Sequence, residues 1–589
     1  MSDFQEQYKN QIKALADSMR NQDMPSLTEE LFAMFESTGN RLKYENVYFT
    51  RRKFLAVFGI AAVVFKRQED LEKLEEVLQE LCAEECWALP VHVNRKDNPE
   101  WRFTVDLFAA ETAQALAEIV ALVGEEQKEF GLTIETCQKV RSEIERRVLV
   151  PFEQTVQGWE CSDHNWNAVC CGGIGSAAIY LLAGKEEHRL KPMLQRICHS
   201  LTFYLNGFRE DGACMEGIGY FTYGMTYFTG FAEQLLRYSN GKINLFNNDK
   251  IRRIAEFQQK MYFGCGQTVS FSDGEESAKF RMGLTCFLAK QYETVRIPNR
   301  KFAAGFETDP CYRFMGLIRD VLWTADAEYE KNVDTAKEAE LSEGNVRHDI
   351  LPLAQWSICE SKNGIGFAIK GGNNNEPHNH NDVGCFLYLA EGEQVLCDLG
   401  AGEYTAEYFG AGRYGILCNS SEGHSVPIIN GEFQQAGVQH RASFFEADGK
   451  GKTIIEFSGA YQDGLAEKLT RETKFDMEDG RLEVTDKVAI PLQKAKEGTI
   501  QFTENLVTKG TVLLQENSVQ IQGKQCFCQI QIEGKAEHLR VLEKEHFNHE
   551  GKRETVRLIQ WDVMPEQGEK EWEKGELCYG VSKYFIRCR

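Results

Sequence analysis

The sequence contains no apolar run long enough to span a bilayer, and its N-terminus, Met1–Gln7, is polar. The twelve-residue apolar stretch from Phe54 to Phe65 is too short to cross a membrane. It follows Arg51-Arg52 and so imitates a twin-arginine export signal, but it lies too far along the chain and has no cleavage site of small residues. We therefore predict a buried helix here, no signal peptide, no membrane partner and a cytoplasmic protein.

Regular cysteine spacing and excess positive charge are also missing. The nineteen cysteines, including the adjacent Cys170 and Cys171, form no disulfide framework and no Cys-x-x-Cys pair of zinc-ribbon spacing, which indicates a reducing compartment. The formal net charge is −22, with 89 acidic against 67 basic residues. Since phosphate binding needs a basic surface, this balance excludes nucleic acid as the expected partner.

The hydrophobic pattern changes once along the chain. Up to about residue 345 apolar residues recur at helical spacing, as in 71–81, 107–119 and 201–208. From about residue 355 alternating strands dominate, as in 453–457, 499–503 and 519–521. We predict two domains, residues 1–345 with paired helices and residues 346–589 forming a β-sandwich, joined by a Glu-rich linker over 336–349.

Histidines and aspartates cluster in the predicted β domain. His378 and His380 would share one face of a strand, because side chains at i and i+2 point the same way. The apolar run 383–390 predicts the next strand, and Asp398 and His424 follow downstream. Two histidines and an aspartate are ligands for zinc, or for a harder ion such as manganese. The alternative is a set of polar loop residues.

Two segments of the helical domain carry further candidates. Residues 161–169, with Asn165, predict a polar helix start, where free backbone N–H groups could bind a carboxylate; the alternative is a simple N-cap. Glycines around Tyr220, including Gly219 and Gly224, would leave its phenol exposed for proton transfer. The alternative is an aromatic cluster in the core.

Several motifs in order resemble the heparinase II/III group of polysaccharide lyases. They span residues 100 to 435: Asp106-Leu107, Asn165-Trp166-Asn167, Asp211-Gly212, Glu216-Gly217, Tyr220, Ser272-Asp273-Gly274, His378–Asp382, Asp398-Leu399-Gly400, His424 and Asn430-Gly431. The resemblance implies an incomplete α/α-toroid followed by an antiparallel β-sandwich, with the active site in the cleft between them.

The resemblance also implies catalytic roles in β-elimination. Asn165 would neutralise the substrate carboxylate, with Asn167 in reserve. Tyr220 would protonate the departing oxygen, and His378 would act as base or assist Tyr220.

The remaining site residues are predicted as substrate contacts and metal ligands. His164, Asn167, Glu216 and Arg413 are the expected substrate-binding residues. His380, Asp398 and His424 resemble the ligands of one mainly structural divalent ion, zinc or alternatively manganese, and His440 is the alternative third ligand.

The expected substrate is an acidic oligosaccharide or polysaccharide containing uronate. Glycosaminoglycans such as hyaluronan, chondroitin and heparan sulfate come first, then alginate, and a homo-oligomer is left open. Two other functions remain: a glycoside hydrolase, for which Asp211, Glu216 and Asp273 could supply paired carboxylates, and a non-catalytic sugar-binding protein.

Overall fold

The computed structural model describes residues 3–124, 130–324, 346–494, 500–563, 566–567 and 577–588. All α-helices in these ranges lie before residue 323. They are α1 Asp3–Met19, α2 Glu29–Thr38, α3 Leu42–Phe65, α4 Gln68–Cys82, α5 Leu107–Val123, α6 Ile134–Ile144, α7 Val150–Gln154, α8 Asn165–Leu182, α9 Glu187–Gly207, α10 Ile218–Tyr238, α11 Asp249–Ala255, α12 Phe257–Met261, α13 Met282–Gln291 and α14 Phe314–Leu322. The helical pattern predicted over 71–81, 107–119 and 201–208 is confirmed by α4, α5 and α9.

Helix α8 packs closely against two neighbours because it carries adjacent glycines. A Cβ on Gly172 would lie 2.6 Å from the Tyr227 carbonyl oxygen of α10, and one on Gly173 would lie 2.7 Å from the Ala110 carbonyl oxygen of α5. Any larger side chain would push these backbones apart. Nearly every side chain of α8 is buried, so its N-terminal residues are held on a rigid element.

The described strands all follow residue 346. They are β1 Arg347–Leu351, β2 Trp356–Glu360, β3 Gly366–Lys370, β4 Asn373–Asn374, β5 Phe386–Ala390, β6 Glu393–Leu396, β7 Ile428–Ile429, β8 Gly437–Arg441, β9 Phe444–Ala447, β10 Lys452–Glu456, β11 Lys468–Phe475, β12 Leu482–Pro491, β13 Phe502–Thr508, β14 Thr511–Gln515, β15 Ser518–Gln522, β16 Phe527–Ile532, β17 Glu537–Phe547, β18 Arg553–Val563, β19 Glu566–Gln567 and β20 Leu577–Cys588.

Antiparallel pairing joins these strands into four sheets. The five-stranded sheet has the order β1-β2-β3-β5-β6, and the longest runs β14-β15-β16-β20-β12-β11-β10-β9 with β19 paired to β20. A third sheet has the order β17-β18-β13-β7, and β4 pairs with β8. One apolar core, including Phe386, Ile455 and Trp561, draws side chains from three of the sheets. The predicted change from helices to an antiparallel, sheet-rich region is confirmed.

The chain divides into two compact units, and each unit is assembled from three separate segments of the sequence. The first comprises Met1–Phe208, Tyr220–Ala255 and Lys279–Ala336. The second comprises Arg209–Gly219, Glu256–Ala278 and Lys337–Arg589. The predicted boundary at 345 falls outside the described residues, as does most of the predicted linker 336–349, although its last residues begin β1.

One local prediction in the second unit was wrong, and a second was confirmed only in part. His378 and His380 lie in a loop between β4 and β5, not on a strand, and His378 has a positive φ of 55°. The strand predicted over 383–390 begins only at Phe386, because residues 383 and 384 form a turn.

The buried helix predicted around the twin arginines is confirmed as α3. Arg51 and Arg52 both contact Glu84: the Arg51 Nε lies 2.6 Å from its Oε1, and the two terminal nitrogens of Arg52 each lie 2.9 Å from one of its oxygens. All three side chains are buried. Within the described ranges, no helix has both the length and the apolarity to cross a membrane.

We expect Glu84→Ala to lower the free energy of unfolding of the helical unit by about 3–5 kcal/mol, because two buried guanidinium groups would lose their shared carboxylate. Glu80→Ala is the matched control, since Glu80 lies 3.8 Å from the same Arg51 but is 62% exposed. In this control variant the free energy of unfolding should fall by at most about 1 kcal/mol. Urea denaturation of both variants measures the difference, and equal losses would contradict the account.

Candidate active site

A single carboxylate, that of Asp273, organises the second unit's cluster of histidines and tyrosines. Its Oδ2 lies 2.5 Å from Nδ1 of His378 and 2.7 Å from the Tyr404 hydroxyl. Its Oδ1 lies 3.0 Å from Nε2 of His380 and 2.5 Å from the Tyr408 hydroxyl. Four donors from two loops therefore converge on one buried side chain.

These contacts determine the charge on Asp273. Burial alone would raise its pKa, but the hydrogen bonds and positive charge of His378 and His380 outweigh burial and hold the pKa well below its usual range. Asp273 is therefore an acceptor at every contact, and each facing histidine nitrogen carries a hydrogen. Nε2 of His378 lies on the other side of the ring from this contact, on a side chain that is 20% exposed.

The backbone on both sides of this contact is strained. Ser272 has φ 62° and His378 has φ 55°, the left-handed region that non-glycine residues seldom adopt. Each costs about 1 kcal/mol or more. The hydrogen bonds to Asp273 offset this cost and keep the imidazole in place.

Beside this carboxylate, three buried side chains leave polar atoms without hydrogen-bond partners. His380, Asp398 and His424 each offer a ligand atom within 4.8 Å of the other two. The atoms without a hydrogen bond are Nδ1 of His380, Oδ2 of Asp398 and Nδ1 of His424, and the last two lie 3.3 Å apart as an ion pair. Three buried ligand atoms that face one another in this way fit a cation site.

The other atoms of these side chains are fixed in the manner typical of metal ligands. Nε2 of His380 donates to Asp273, and Nε2 of His424 lies 2.8 Å from the Cys418 carbonyl oxygen, which can only accept. Burial would raise the pKa of Asp398, but His424 and His380 lower it, so Asp398 is ionised. The donor set thus fits a divalent ion such as zinc.

The alternative ligand His440 lies elsewhere. Its Nδ1 contacts the carbonyl oxygens of Gly459 and Tyr461, at 3.2 and 3.1 Å. Among the described residues, the three-ligand cluster therefore contains His424 and not His440.

In the first unit, α8 begins at Asn165 as predicted, with His164 at the N-cap. Asn165 is almost fully buried, whereas His164 is half-buried. The amide nitrogen of Asn167 donates to the carbonyl oxygens of Glu160 and Ser200, at 2.8 and 3.0 Å, and the side chain is fully buried. Asn167 therefore holds the start of α8 through its amide nitrogen, and its role as a substrate contact stays a prediction.

Helix α10 presents two tyrosines one turn apart. Tyr220 is half-buried, beside the exposed Gly219. The hydroxyl of Tyr223 donates to Glu111, and the Arg313 guanidinium lies 4.0 Å from the centre of the Tyr223 ring. Burial raises the pKa of Glu111 to about 7, although Arg313 and Tyr223 oppose the shift.

The remaining predicted contacts lie in the second unit. Glu216 is buried, with Oε2 3.7 Å from Nε2 of His378. Arg413 donates to the carbonyl oxygens of Asn379 and Tyr408, so it holds two loops together. Asp211 accepts from the backbone N–H groups of Ala213 and Leu353.

Sequence reasoning missed Tyr404 and Tyr408 and did not place Asp273 against the histidines. The only signals were the Ser-Asp-Gly motif and a loop with three aromatic residues, Tyr404, Tyr408 and Phe409. Neither signal shows which histidine the carboxylate would contact.

No family model matches the sequence, and no curated protein matches it. Solved structures do match over nearly the whole chain. Heparinase III shares 14% identity at a TM-score of 0.61, covering 99% of this chain and 91% of the other. The heparan sulfate lyase HepC from Pedobacter heparinus shares 12% at a TM-score of 0.59, covering 99% and 87%. A mutant chondroitin AC lyase of Streptomyces coelicolor A3 shares 10% at 0.50, covering 100% and 83%.

This chain has the fold of heparinase III. The predicted resemblance to the heparinase II/III group is thereby confirmed for the fold, which extends over both units of the chain.

We expect Asp273→Asn to destabilise the loop 377–382 strongly, because an amide cannot accept from donors on both sides. The free energy of unfolding should fall by at least about 2 kcal/mol in Asp273→Asn. It should fall by about 1 kcal/mol in Tyr404→Phe, which removes one donor. Thermal unfolding with hydrogen exchange of this loop measures both. A Tyr404→Phe variant as unstable as Asp273→Asn would show that the carboxylate is not the organising group.

Proposed function

We propose that the protein is a polysaccharide lyase that cleaves uronate-containing glycans by β-elimination, on an α/α-toroid followed by a β-sandwich. One observation carries the proposal: the ionised Asp273 lies 2.5 Å from Nδ1 of His378 and so orients this partly exposed imidazole, with Nε2 on the other side of the ring. An imidazole oriented by a carboxylate can act as a general base. The fold shared with solved lyases supports the same chemistry.

The proposed reaction breaks the C5–H and C4–O bonds and forms a C4=C5 double bond. His378 takes the C5 proton, alone or together with Tyr220, and Tyr220 gives a proton to the departing oxygen. Asn165 hydrogen-bonds the uronate carboxylate, which lowers the cost of the negative charge that develops next to it. Among the other predicted contacts, Glu216 faces His378, and His164 and Arg413 complete the proposed binding residues.

We propose that His380, Asp398 and His424 hold one divalent ion, zinc or alternatively manganese. When bound, the ion would supply positive charge that ties the loop 377–382 to the segments carrying Asp398 and His424. His378, two residues from a ligand, would be positioned by the same loop. This role is structural, and no bond of the substrate is broken at the ion.

The proposed substrates are glycosaminoglycans, which are acidic, in keeping with the heparan sulfate and chondroitin lyases of the same fold. The hydrolase alternative is weaker, because Asp211 and Asp273 both accept from internal donors.

Incubation with hyaluronan, chondroitin, heparan sulfate and alginate tests the proposal. A lyase produces a 4,5-unsaturated uronate that absorbs in the ultraviolet, whereas a hydrolase produces reducing ends without this absorbance. Reducing ends alone would favour the hydrolase, and binding without any product would favour a sugar-binding protein.

We expect Tyr220→Phe to lower kcat by at least about 100-fold with KM nearly unchanged, because only the phenolic proton is lost. Tyr223→Phe is the matched control on the same helix, since Tyr223 donates to Glu111. If Tyr220→Phe retains turnover and Tyr223→Phe does not, the acid is Tyr223.

We expect His378→Ala to lose activity while metal content stays near wild type, with Tm lowered only as far as the loss of one donor to Asp273 lowers it. His380→Ala and Asp398→Ala should lose activity, bound metal and Tm together, because a metal site couples its ligands to folding. Elemental analysis of the purified wild type should show close to one ion per chain. Equal profiles for His378→Ala and His380→Ala would contradict the separation of base from ligand.

A further inference from the structure

A cluster of aromatic rings lies next to His378 in the second unit. The Tyr404 ring centre lies 6.5 Å from that of His378, at an angle of 21°. Phe409 packs edge-on against Tyr404 at 4.9 Å, and His549, from the turn between β17 and β18, packs edge-on at 4.5 Å. The rings therefore continue outward from the proposed base.

This cluster is rigid. The hydroxyls of Tyr404 and Tyr408 both donate to Asp273. Arg413 donates to the Tyr408 carbonyl oxygen at 2.9 Å and lies over its ring at 4.5 Å. The loop also pairs with the end of β17, where the Glu403 N–H lies 3.1 Å from the Phe547 carbonyl oxygen. Little conformational entropy would be lost if a ligand bound here.

Phe409 leaves more of its ring exposed than its packing partners do. Tyr408 is fully buried against Asp273, whereas Phe409 packs edge-on against Tyr404 and Tyr408 and still remains 56% exposed. Phe547, at the end of β17, is 48% exposed. Single exposed apolar residues are ordinary, but rigid exposed rings that adjoin a catalytic candidate indicate a binding surface.

The charges on the loop restrict what could bind. Glu403 and Glu407 flank Tyr404 and Tyr408 in sequence, and Arg413 directs its donors at backbone carbonyls. A sulfate or carboxylate at the rings would meet acidic neighbours, whereas a neutral ring would not. The C–H groups on one face of a pyranose suit an aromatic surface, and an unsulfated N-acetylhexosamine is the neutral component of a glycosaminoglycan.

We propose that Phe409, with Tyr404 and His549, forms a subsite that stacks against an unsulfated hexosamine, next to the uronate on which His378 acts. This inference rests on the proposed function, because it takes the uronate glycan as the ligand.

The test is calorimetric binding of unsulfated tetrasaccharides of hyaluronan, chondroitin and heparosan to the full-length protein. Loss of one stacking ring corresponds to about 0.5–1.5 kcal/mol, which is about 2- to 12-fold in Kd. We expect Phe409→Ala to weaken the tightest of these complexes by up to about tenfold and Phe409→Trp to restore it. Phe444→Ala is the matched control, because Phe444 is 47% exposed on β9. The Phe444→Ala variant should bind the tetrasaccharides with the affinity of the wild type. The Tm of every variant should stay near that of the wild type.

Failure of this inference differs from failure of the proposed function. If a polymer gives unsaturated product but Phe409→Ala binds and turns over like wild type, the subsite is wrong and the lyase stands. If no polymer gives product but Phe409→Ala still weakens tetrasaccharide binding, the lyase is wrong and the subsite stands. Binding of no tetrasaccharide, tighter binding of sulfated ones through Phe409, or a change only in oligomeric state would overturn the subsite.

Discussion

The candidate site in the second unit depends on the buried carboxylate of Asp273. An ionised group in such a position is costly unless donors surround it, and here four of them do. None of the four can leave without exposing a buried charge to an apolar environment. The loops carrying His378, His380, Tyr404 and Tyr408 are therefore fixed by one electrostatic requirement. The same requirement orients both imidazoles, because Nδ1 of His378 and Nε2 of His380 face the one carboxylate.

Ser272 and His378, on the two sides of this contact, have strained backbone, and the strain restricts the arrangement that the site can adopt. A left-handed serine and a left-handed histidine would relax if the loops were free. Ser272 directly precedes Asp273, and His378 donates a hydrogen bond to the Asp273 carboxylate. Relaxation of the backbone at Ser272 or His378 would therefore break this hydrogen bond. The site thus exists in one arrangement, which is what a base needs when its nitrogen must be correctly placed before substrate arrives.

Local sequence patterns predicted the helices and the types of ligand residue. They did not predict which residues distant in sequence contact each other. Helical spacing in 71–81 and 107–119 reflects burial along one helix, and the start of α8 follows from polar residues ahead of an apolar run. His380 and Asp398 could be proposed as ligands from residue type and nearness in sequence. Asp273 precedes His378 by 105 residues, and no periodicity encodes that contact. The strand predicted for His378 failed because a tertiary hydrogen bond overrode the local preference.

The proposed metal also bears on how an acidic protein could accept an acidic polymer. Binding of a divalent ion would require unprotonated ligating nitrogens on His380 and His424, and the cluster would then contain two buried carboxylates, those of Asp273 and Asp398, in a medium where charge is poorly screened. A divalent cation on His380, Asp398 and His424 would cancel these two charges without contacting the substrate. The proposed ion would thus be structural in its contacts and would keep the cluster from adding to the net charge of −22.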